Sequence, residues 1–380
     1  MEEVTVATIR RADVIVVDPG TSVRWTERAE SCAVSTTILR LVDSDGVEGI
    51  AGADCCTFGR ADRSTLEAVR SMWPWLEGRS IDCREALAQD MRIGVVSPFS
   101  TVPLALVDVA LWDLTARHAG LPLWQLLGGT REQLPAYASL ETMPAEADYV
   151  DVVGRAQADG IRAVKLHAFG EPDRDMALFA LLRETYPDLT FMYDAEGVYD
   201  RREAFKVGRA LDDLGCRWYE APLPDFDLEG YRDLRRQLDV PVLPAGYNIW
   251  DVRQLADALR DPPWDACRSE VFSTLGITAL CKMMGLAQAF DMDLEPVTYG
   301  HSLFAAAGLH VMLAFPNVSY FELAYPVEPW EYGVVKPLRP DADGTVKAPD
   351  GDGLGVVIDW EAIEAITSHR ISLGPESVRG

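Results

Sequence analysis

The sequence predicts an α/β protein in which parallel strands and helices alternate to close a barrel, accompanied by a smaller α+β domain. Six short apolar segments alternate with amphipathic segments, at intervals of 23 to 29 residues between Lys165, Asp194, Glu220, Tyr247, Glu270 and Val297. Repeated strand–helix–strand units of this kind favour a closed barrel over an open sheet. The 380 residues exceed the roughly 250 that one barrel needs, which leaves room for a second domain.

The elements follow in a simple order along the chain. The first 125 residues contain two alternating strand segments and three helical patterns, at 4–17, 35–54, 62–78, 80–91 and 100–120. The barrel segments that follow are IRAVKLHAF, LTFMYDAEG, CRWYEAP, VPVLPAGY, ACRSEVFST and MDLEPVTYG. We therefore expect the small domain at residues 1–125 and the barrel at 126–350, and we expect residues 351–380 to return to the small domain.

Charge and composition exclude several classes of partner. The formal net charge of −25 repels nucleic acid and anionic membrane surfaces. Seven cysteines without a C-x-x-C pair, an acidic N-terminus and the absence of an 18-residue apolar run are typical of a reduced, cytoplasmic protein. A small molecule is the partner that this composition leaves.

Polar residues at the ends of neighbouring strand segments indicate a catalytic site. Asp194 and Glu220 end consecutive strands, where their carboxylates suit a hard cation such as Mg²⁺. The alternative is a pair of solvated acids. Lys165 and His167 lie two positions apart, so their side chains project from the same strand face. A cation and an imidazole beside a metal suit removal of a proton next to a carboxylate.

The chain resembles the enolase superfamily, in its mandelate racemase and muconate lactonizing branch. The resemblance rests on ALWDLTAR, GLPLWQLLGG, KLHAFGEPDRDM, MYDAEGVYDRREA, WYEAPLPDFDLEGY, TLGITALCKMMGLAQAF, GLHVMLAFPNVSYFE and DGDGLGVVIDW, which occur in family order. It implies an α+β capping domain on a modified (β/α)₇β barrel. The implied chemistry begins with removal of the α-proton of a carboxylic acid, leading to racemisation, cycloisomerisation or dehydration of sugar acids. Relatives are usually dimers or octamers, which implies a homo-oligomer.

The resemblance also implies roles for individual residues. Lys165 and His167 match the catalytic pair of the second barrel strand, and Asp194 and Glu220 match the first two metal ligands. Tyr247 stands where the family has the third carboxylate ligand, in PAGYNIW.

A replacement for the missing ligand lies close by in the sequence. Glu196 follows Asp194 by two residues, and we hypothesise a rearranged Mg²⁺ site of Asp194, Glu196 and Glu220. The alternative is that Glu196 pairs with Lys165 or Arg268 and that no metal binds.

The second catalytic group of the family is also altered. Glu270 aligns with the aspartate of an Asp–His dyad, and Val297 replaces its histidine. His301 lies four residues further on and either restores an imidazole to the barrel mouth or supports it from behind. Tyr247 and Tyr299 are candidate hydrogen-bond donors to an enolate.

Two loops of the capping domain are expected to select the substrate. Arg24 either binds a distal polar group or is an ordinary surface arginine. Trp25 and Phe58 predict an apolar wall, which suits an acid less hydroxylated than a simple sugar acid.

Three readings of function remain. Dehydration of a sugar-acid-like compound is favoured, because without the dyad a reaction needing one base fits better than a two-base racemisation; cycloisomerisation or epimerisation is the alternative. A second class is a degenerate homologue that binds a ligand without turnover. A third takes Lys165 as a Schiff-base former, which the acidic neighbours disfavour because they stabilise the ammonium.

Overall fold

A computed structural model describes residues 6–54, 62–94 and 101–375, with only the helical backbone at 91–94. The strands are β1 Ile9–Val17, β2 Ser22–Val23, β3 Cys32–Ala33, β4 Thr36–Asp43, β5 Glu48–Asp54, β6 Gln133–Leu140, β7 Ala163–His167, β8 Thr190–Asp194, β9 Tyr219–Glu220, β10 Val242–Leu243, β11 Cys267–Ser269, β12 Leu294–Pro296, β13 Phe321–Tyr325, β14 Thr345–Lys347 and β15 Thr367–Leu373. The helices are α1 Asp62–Leu76, α2 Arg84–Gly94, α3 Thr101–Ala119, α4 Leu123–Leu126, α5 Glu146–Ala158, α6 Pro172–Thr185, α7 Arg201–Leu214, α8 Leu228–Gln237, α9 Val252–Ala258, α10 Ile277–Ala289, α11 Ser302–Ala314 and α12 Trp360–Ala365.

The N-terminal part of the chain forms an α+β capping domain. Its antiparallel sheet has the order β15-β1-β4-β5, so the C-terminal strand pairs with the first strand of the chain. Helix α3 packs closely on β5, because a Cβ atom at Gly49 would lie only 2.2 Å from the carbonyl oxygen of Ala110. A glycine is therefore required at this crossing.

The second part of the chain is a barrel. Eight parallel strands, β6 to β13, alternate with seven helices, α5 to α11. The last strand, β13, pairs in parallel with the first, β6, which brings the two ends of the series together. This confirms the predicted fold of a (β/α)₇β barrel with an α+β capping domain. The six predicted strand segments correspond to β7 through β12, and the structure adds β6 and β13 on either side.

One buried carboxylate ties the C-terminal segment to the capping domain. Asp113 of α3 is fully buried and accepts hydrogen bonds from the backbone amides of Ile50 and Leu354, at 2.8 and 2.6 Å. The Nε atom of Arg117 donates a third, at 2.9 Å. Three separate segments of the chain are thereby linked through one side chain.

We expect Asp113→Ala to lower the free energy of unfolding by about 3 kcal/mol, because two buried amides and Arg117 lose their acceptor. Urea unfolding measures the change, and Asp151→Ala, at an exposed position of α5, is the control. Equal stabilities of the two variants would show that this carboxylate does not join the segments.

Two further features concern membrane-spanning helices and disulfide bonds. Within the described ranges, no helix combines the length and the apolar character that crossing a bilayer requires. The cysteines in those ranges carry no disulfide: Cys32, Cys83, Cys216, Cys267 and Cys281.

Candidate active site

A pocket of about 690 Å³ opens at the carboxyl ends of the barrel strands. Trp25 and Asp54 line it from the capping domain, and the barrel supplies both charged and apolar side chains. The barrel residues that line it include Lys165, His167, Asp194, Glu196, Glu220, Tyr247, Arg268, Glu270, Val297, Tyr299 and Glu322. The structure thus brings together most of the side chains that the sequence singled out.

Lys165 lies at the centre of a buried charge cluster. Its Nζ atom is 3.1 Å from Oδ2 of Asp194 and 3.1 Å from Oε1 of Glu220. The same Nζ atom is 2.8 Å from Oε1 of Glu322, a residue of β13, the last barrel strand. Burial and Arg268 lower the pKa of Lys165, but the carboxylates outweigh them and hold the pKa well above its usual value. A charged ammonium is a poor Schiff-base nucleophile, so this geometry argues against that reading.

His167 is held in one orientation. Its Nδ1 atom donates to the backbone carbonyl of Leu140 at 2.7 Å, so Nε2 is the ring atom left for proton transfer. That Nε2 atom lies 3.1 Å from Oδ2 of Asp194 and 3.2 Å from Oε1 of Glu196. Burial lowers the pKa of His167. The charge of Asp194 and the hydrogen bonds of the ring with Asp194 and Glu196 outweigh burial and raise the pKa to about 10. In this environment the ring holds its second proton firmly.

The three carboxylates that were proposed to bind a metal, those of Asp194, Glu196 and Glu220, do not form one compact group. Asp194 and Glu220 are directly paired residues of β8 and β9. Glu196 has a φ of 52°, in the left-handed region, and its carboxylate reaches His167. Among the described residues, the group whose ligand atoms all lie within 4.8 Å of one another is His167, Asp194 and Glu196. Asp194 therefore lies beside Glu196 and beside Glu220, but the ligand atoms of all three carboxylates do not lie within 4.8 Å of one another.

Arg268 and Glu322 are charged barrel residues of the pocket that were not assigned to the site from the sequence. Arg268 was considered only as a partner of Glu196, whereas the structure pairs it with Glu220 and Glu322, at 2.5 and 2.7 Å. A usable signal was present, because Arg268 lies two residues before Glu270. The alternation that placed Lys165 and His167 on one face applies equally to this pair.

Glu270 and Tyr247 lie on the wall of the pocket. Burial, and then the charge of Asp54, raises the pKa of Glu270 to about 8, so its carboxyl group is protonated at neutral pH. Burial also raises the pKa of Tyr247 well above its usual value, which keeps its phenol neutral. The backbone amide of Tyr247 donates to Asp225 at 3.0 Å, which fixes this loop independently of the side chain.

Two predicted residues point elsewhere. His301 caps the start of α11, and its Nε2 atom lies 2.8 Å from the carbonyl oxygen of Tyr332, behind the pocket wall. The guanidinium of Arg24 donates to the carbonyl oxygens of Ala29 and Glu27, both at 3.1 Å. The side chain of Arg24 therefore binds backbone atoms of its own loop.

One of the two residues predicted to form an apolar wall, Trp25, lines the pocket. Trp25 lies 5.0 Å from the ring of His167 and 4.7 Å from that of Tyr299, measured between ring centroids. The hydroxyl of Tyr299 donates to Glu141 at 3.1 Å. Phe58, the other predicted member of this wall, lies outside the described residues.

Comparisons with known proteins match this arrangement over most of the chain. Residues 11–128 match the family described as mandelate racemase / muconate lactonizing enzyme, N-terminal domain, and residues 148–362 match the enolase C-terminal domain-like family. The 3,6-anhydro-alpha-L-galactonate cycloisomerase of Streptomyces coelicolor is 29% identical over 340 residues, which cover 86% of this chain and 89% of the relative.

Solved structures are similar as well. A crystal structure from Pseudovibrio sp., described as a mandelate racemase/muconate lactonizing enzyme, has a TM-score of 0.94 and 28% identity, with 98% of this chain and 100% of that chain covered. D-glucarate dehydratase from Agrobacterium tumefaciens, complexed with magnesium, has a TM-score of 0.81 and 27% identity, with 95% and 99% covered. The names of the relatives include cycloisomerases, sugar-acid dehydratases and racemases, so similarity alone does not select the reaction.

Proposed function

The chain belongs to the mandelate racemase and muconate lactonizing enzyme branch of the enolase superfamily, and we propose that it dehydrates a small carboxylic acid with hydroxyl groups on its α- and β-carbons. The observation that supports dehydration is the pairing of His167 and Glu270 in one pocket. The first is an imidazole that exchanges a proton at Nε2, and the second is a carboxyl group that is protonated at neutral pH.

Fixed positive charge at the base of the pocket would receive the substrate carboxylate. Lys165 and Arg268 are both almost fully buried and both line the pocket. Their charges are present before the substrate arrives, so little reorganisation accompanies charge development on the enediolate oxygens. In a protein of net charge −25, these two charges and the cation proposed below would together offset the acids of the pocket.

His167 would remove the α-proton through Nε2 in those molecules whose ring has lost its second proton, which its pKa of about 10 makes a minority at neutral pH. The hydrogen bond from Nδ1 to Leu140 and the contact with Trp25 hold the ring, so the accepting atom is positioned before binding. The carboxylates of Asp194 and Glu196 stabilise the imidazolium that forms. Their charge makes the ring a strong base once it has lost its second proton.

Glu270 would donate a proton to the leaving β-hydroxyl group. Loss of the hydroxyl as water leaves an enol, which becomes a 2-oxo-3-deoxy acid when a proton adds at C3 and one leaves the enol oxygen. A two-imidazole racemisation is less well supported, because Val297 lies on the pocket wall and His301 behind it. His167 is the histidine among the described lining residues.

Magnesium is present in several of the similar solved structures, and the residues of this pocket fit a cation. Asp194 and Glu220 are neighbours across β8 and β9, and Oε2 of Glu220 is buried without a hydrogen-bond partner in the described part of the chain. Carboxylate oxygens are the ligands that Mg²⁺ prefers. We propose that Asp194 and Glu220 hold Mg²⁺ with Glu196 nearby, and when bound it would supply charge that stabilises the enediolate.

A product assay tests the proposed reaction. We expect one member of a library of sugar acids and simpler hydroxy acids to yield a 2-oxo acid, detected as its semicarbazone. The rate should rise with pH until about 8 and fall above about 10, because the reaction needs His167 without its second proton and Glu270 with its proton. Epimerised or cyclised acid without a 2-oxo product would instead establish the isomerase alternative. Assembly into a homo-oligomer and a cytoplasmic location stay predictions.

A further inference from the structure

A buried arginine stands beside the proposed cation site. The side chain of Arg268 is 1% exposed, and its Nε atom lies 2.5 Å from Oε1 of Glu220. Its Nη2 atom lies 2.7 Å from Oε2 of Glu322 and 3.4 Å from the hydroxyl of Tyr137. Burial lowers the pKa of Arg268, but the neighbouring carboxylates raise it well above its usual value. The guanidinium is therefore a permanent charge.

Glu220 is shared between fixed cations and the proposed metal. Its Oε1 atom lies 2.5 Å from Arg268 and 3.1 Å from Lys165, which leaves Oε2 for a metal ion. A divalent ion on Oε2 and the guanidinium on Oε1 would be separated by the width of one carboxylate. Repulsion between them is strong at this distance, because the surroundings are buried and screen charge poorly.

The charge balance of the pocket leads to the same conclusion. Tyr247 replaces a carboxylate of the family pattern, which removes one negative charge. Arg268 contributes one positive charge to the same pocket. Compared with a three-carboxylate site without this arginine, the pocket is more positive by two charges, which equals the charge of Mg²⁺.

We propose that Arg268 competes with the divalent cation for Glu220, so that this chain binds the cation weakly and supplies part of its charge from its own side chain. This inference rests on the cation site of the proposed function. If Arg268 only holds Glu322 and the barrel strands in place, removing its charge would leave metal affinity unchanged.

Titration with Mn²⁺, followed by the electron paramagnetic resonance signal of the free ion, tests this in the full-length protein. We expect Arg268→Gln to lower the Kd for Mn²⁺ by about tenfold or more, because Glu220 is released and one positive charge is removed. Arg268→Lys keeps the charge and should retain weak binding. Arg183→Gln, on helix α6, is the control for loss of a remote arginine.

Loss of Arg268 also leaves Glu322 without that partner, which can destabilise the barrel. The double variant Arg268→Gln/Glu322→Gln removes both members of this pair and keeps Glu220. Circular dichroism and thermal unfolding identify the variants that fold. An unchanged or higher Kd in folded Arg268→Gln protein, alone or combined with Glu322→Gln, overturns the inference. Absence of Mn²⁺ binding in every variant overturns the cation site as well, whereas α-proton exchange reports separately on the proposed chemistry.

Discussion

The His167→Ala variant should lose α-proton removal, with the rate lowered by about 100- to 10,000-fold, because the pocket then lacks its proton acceptor. Nδ1 of His167 is fixed to Leu140, and Nε2 is the atom that would meet the substrate. Lys165 is a poorer proton acceptor than His167, since its pKa lies well above its usual value of 10.5 whereas that of His167 is about 10. Release of deuterium from substrate labelled at the α-carbon measures the rate.

The control for this variant is His369→Ala, which alters a partly exposed histidine on β15 of the capping sheet. Its rate should equal that of the unmodified protein. Circular dichroism shows whether the His167 variant retains its fold. A folded His167→Ala protein with an undiminished rate of deuterium release would mean that another group removes the proton.

The Glu270→Gln variant should separate the two halves of the reaction. We expect the rate of 2-oxo acid formation to fall by about 100- to 10,000-fold, because the amide cannot donate the proton that the leaving hydroxyl needs. Exchange of the α-proton should stay within a few-fold, because His167 is untouched. The residual activity should also lose the decline above about pH 10, because deprotonation of His167 alone then shapes the profile.

Both reactions are measured on the same samples, so the ratio of exchange to product formation is the informative quantity. Glu132→Gln, at an exposed position, should leave this ratio unchanged. Equal loss of exchange and product formation in Glu270→Gln would place Glu270 in substrate binding or in the first proton transfer.

Strand periodicity and strand-end chemistry were sufficient to predict the barrel and the centre of its pocket. Lys165, His167, Asp194 and Glu220 meet because residues at the carboxyl ends of parallel strands converge, and this follows from local sequence. The first and last barrel strands were harder to predict. Strand β6 directly follows a long helical pattern, and β13 consists of five buried residues with no alternation between buried and exposed positions.

Side-chain direction in loops was much less predictable. Arg24 looked suited to a distal substrate group, but backbone carbonyls within its own loop take up its guanidinium. His301 is close in sequence to the pocket residue Val297, yet the start of α11 turns its ring toward Tyr332. Such outcomes depend on backbone acceptors that the sequence does not reveal.

The pairing of buried charges also required the structure. Glu196 was expected to bind a metal with Asp194 and Glu220 or to pair with Lys165 or Arg268, and the structure adds a contact between its carboxylate and His167. Which acid meets which base inside a barrel depends on differences of an ångström or two between strands. Residue spacing gives the face of a strand, but it does not give this level of detail.

Hydrogen–deuterium exchange at the α-carbon tests the central claim most directly. The unmodified protein, Glu270→Gln and His167→Ala are each incubated in D₂O with a library of carboxylic acids, and the recovered acids are analysed by mass spectrometry. We predict that at least one acid gains a single deuterium with Glu270→Gln and none with His167→Ala. If the protein binds acids from the library but no acid exchanges with the unmodified protein or with Glu270→Gln, the chain is a ligand-binding homologue and the proposed chemistry is wrong.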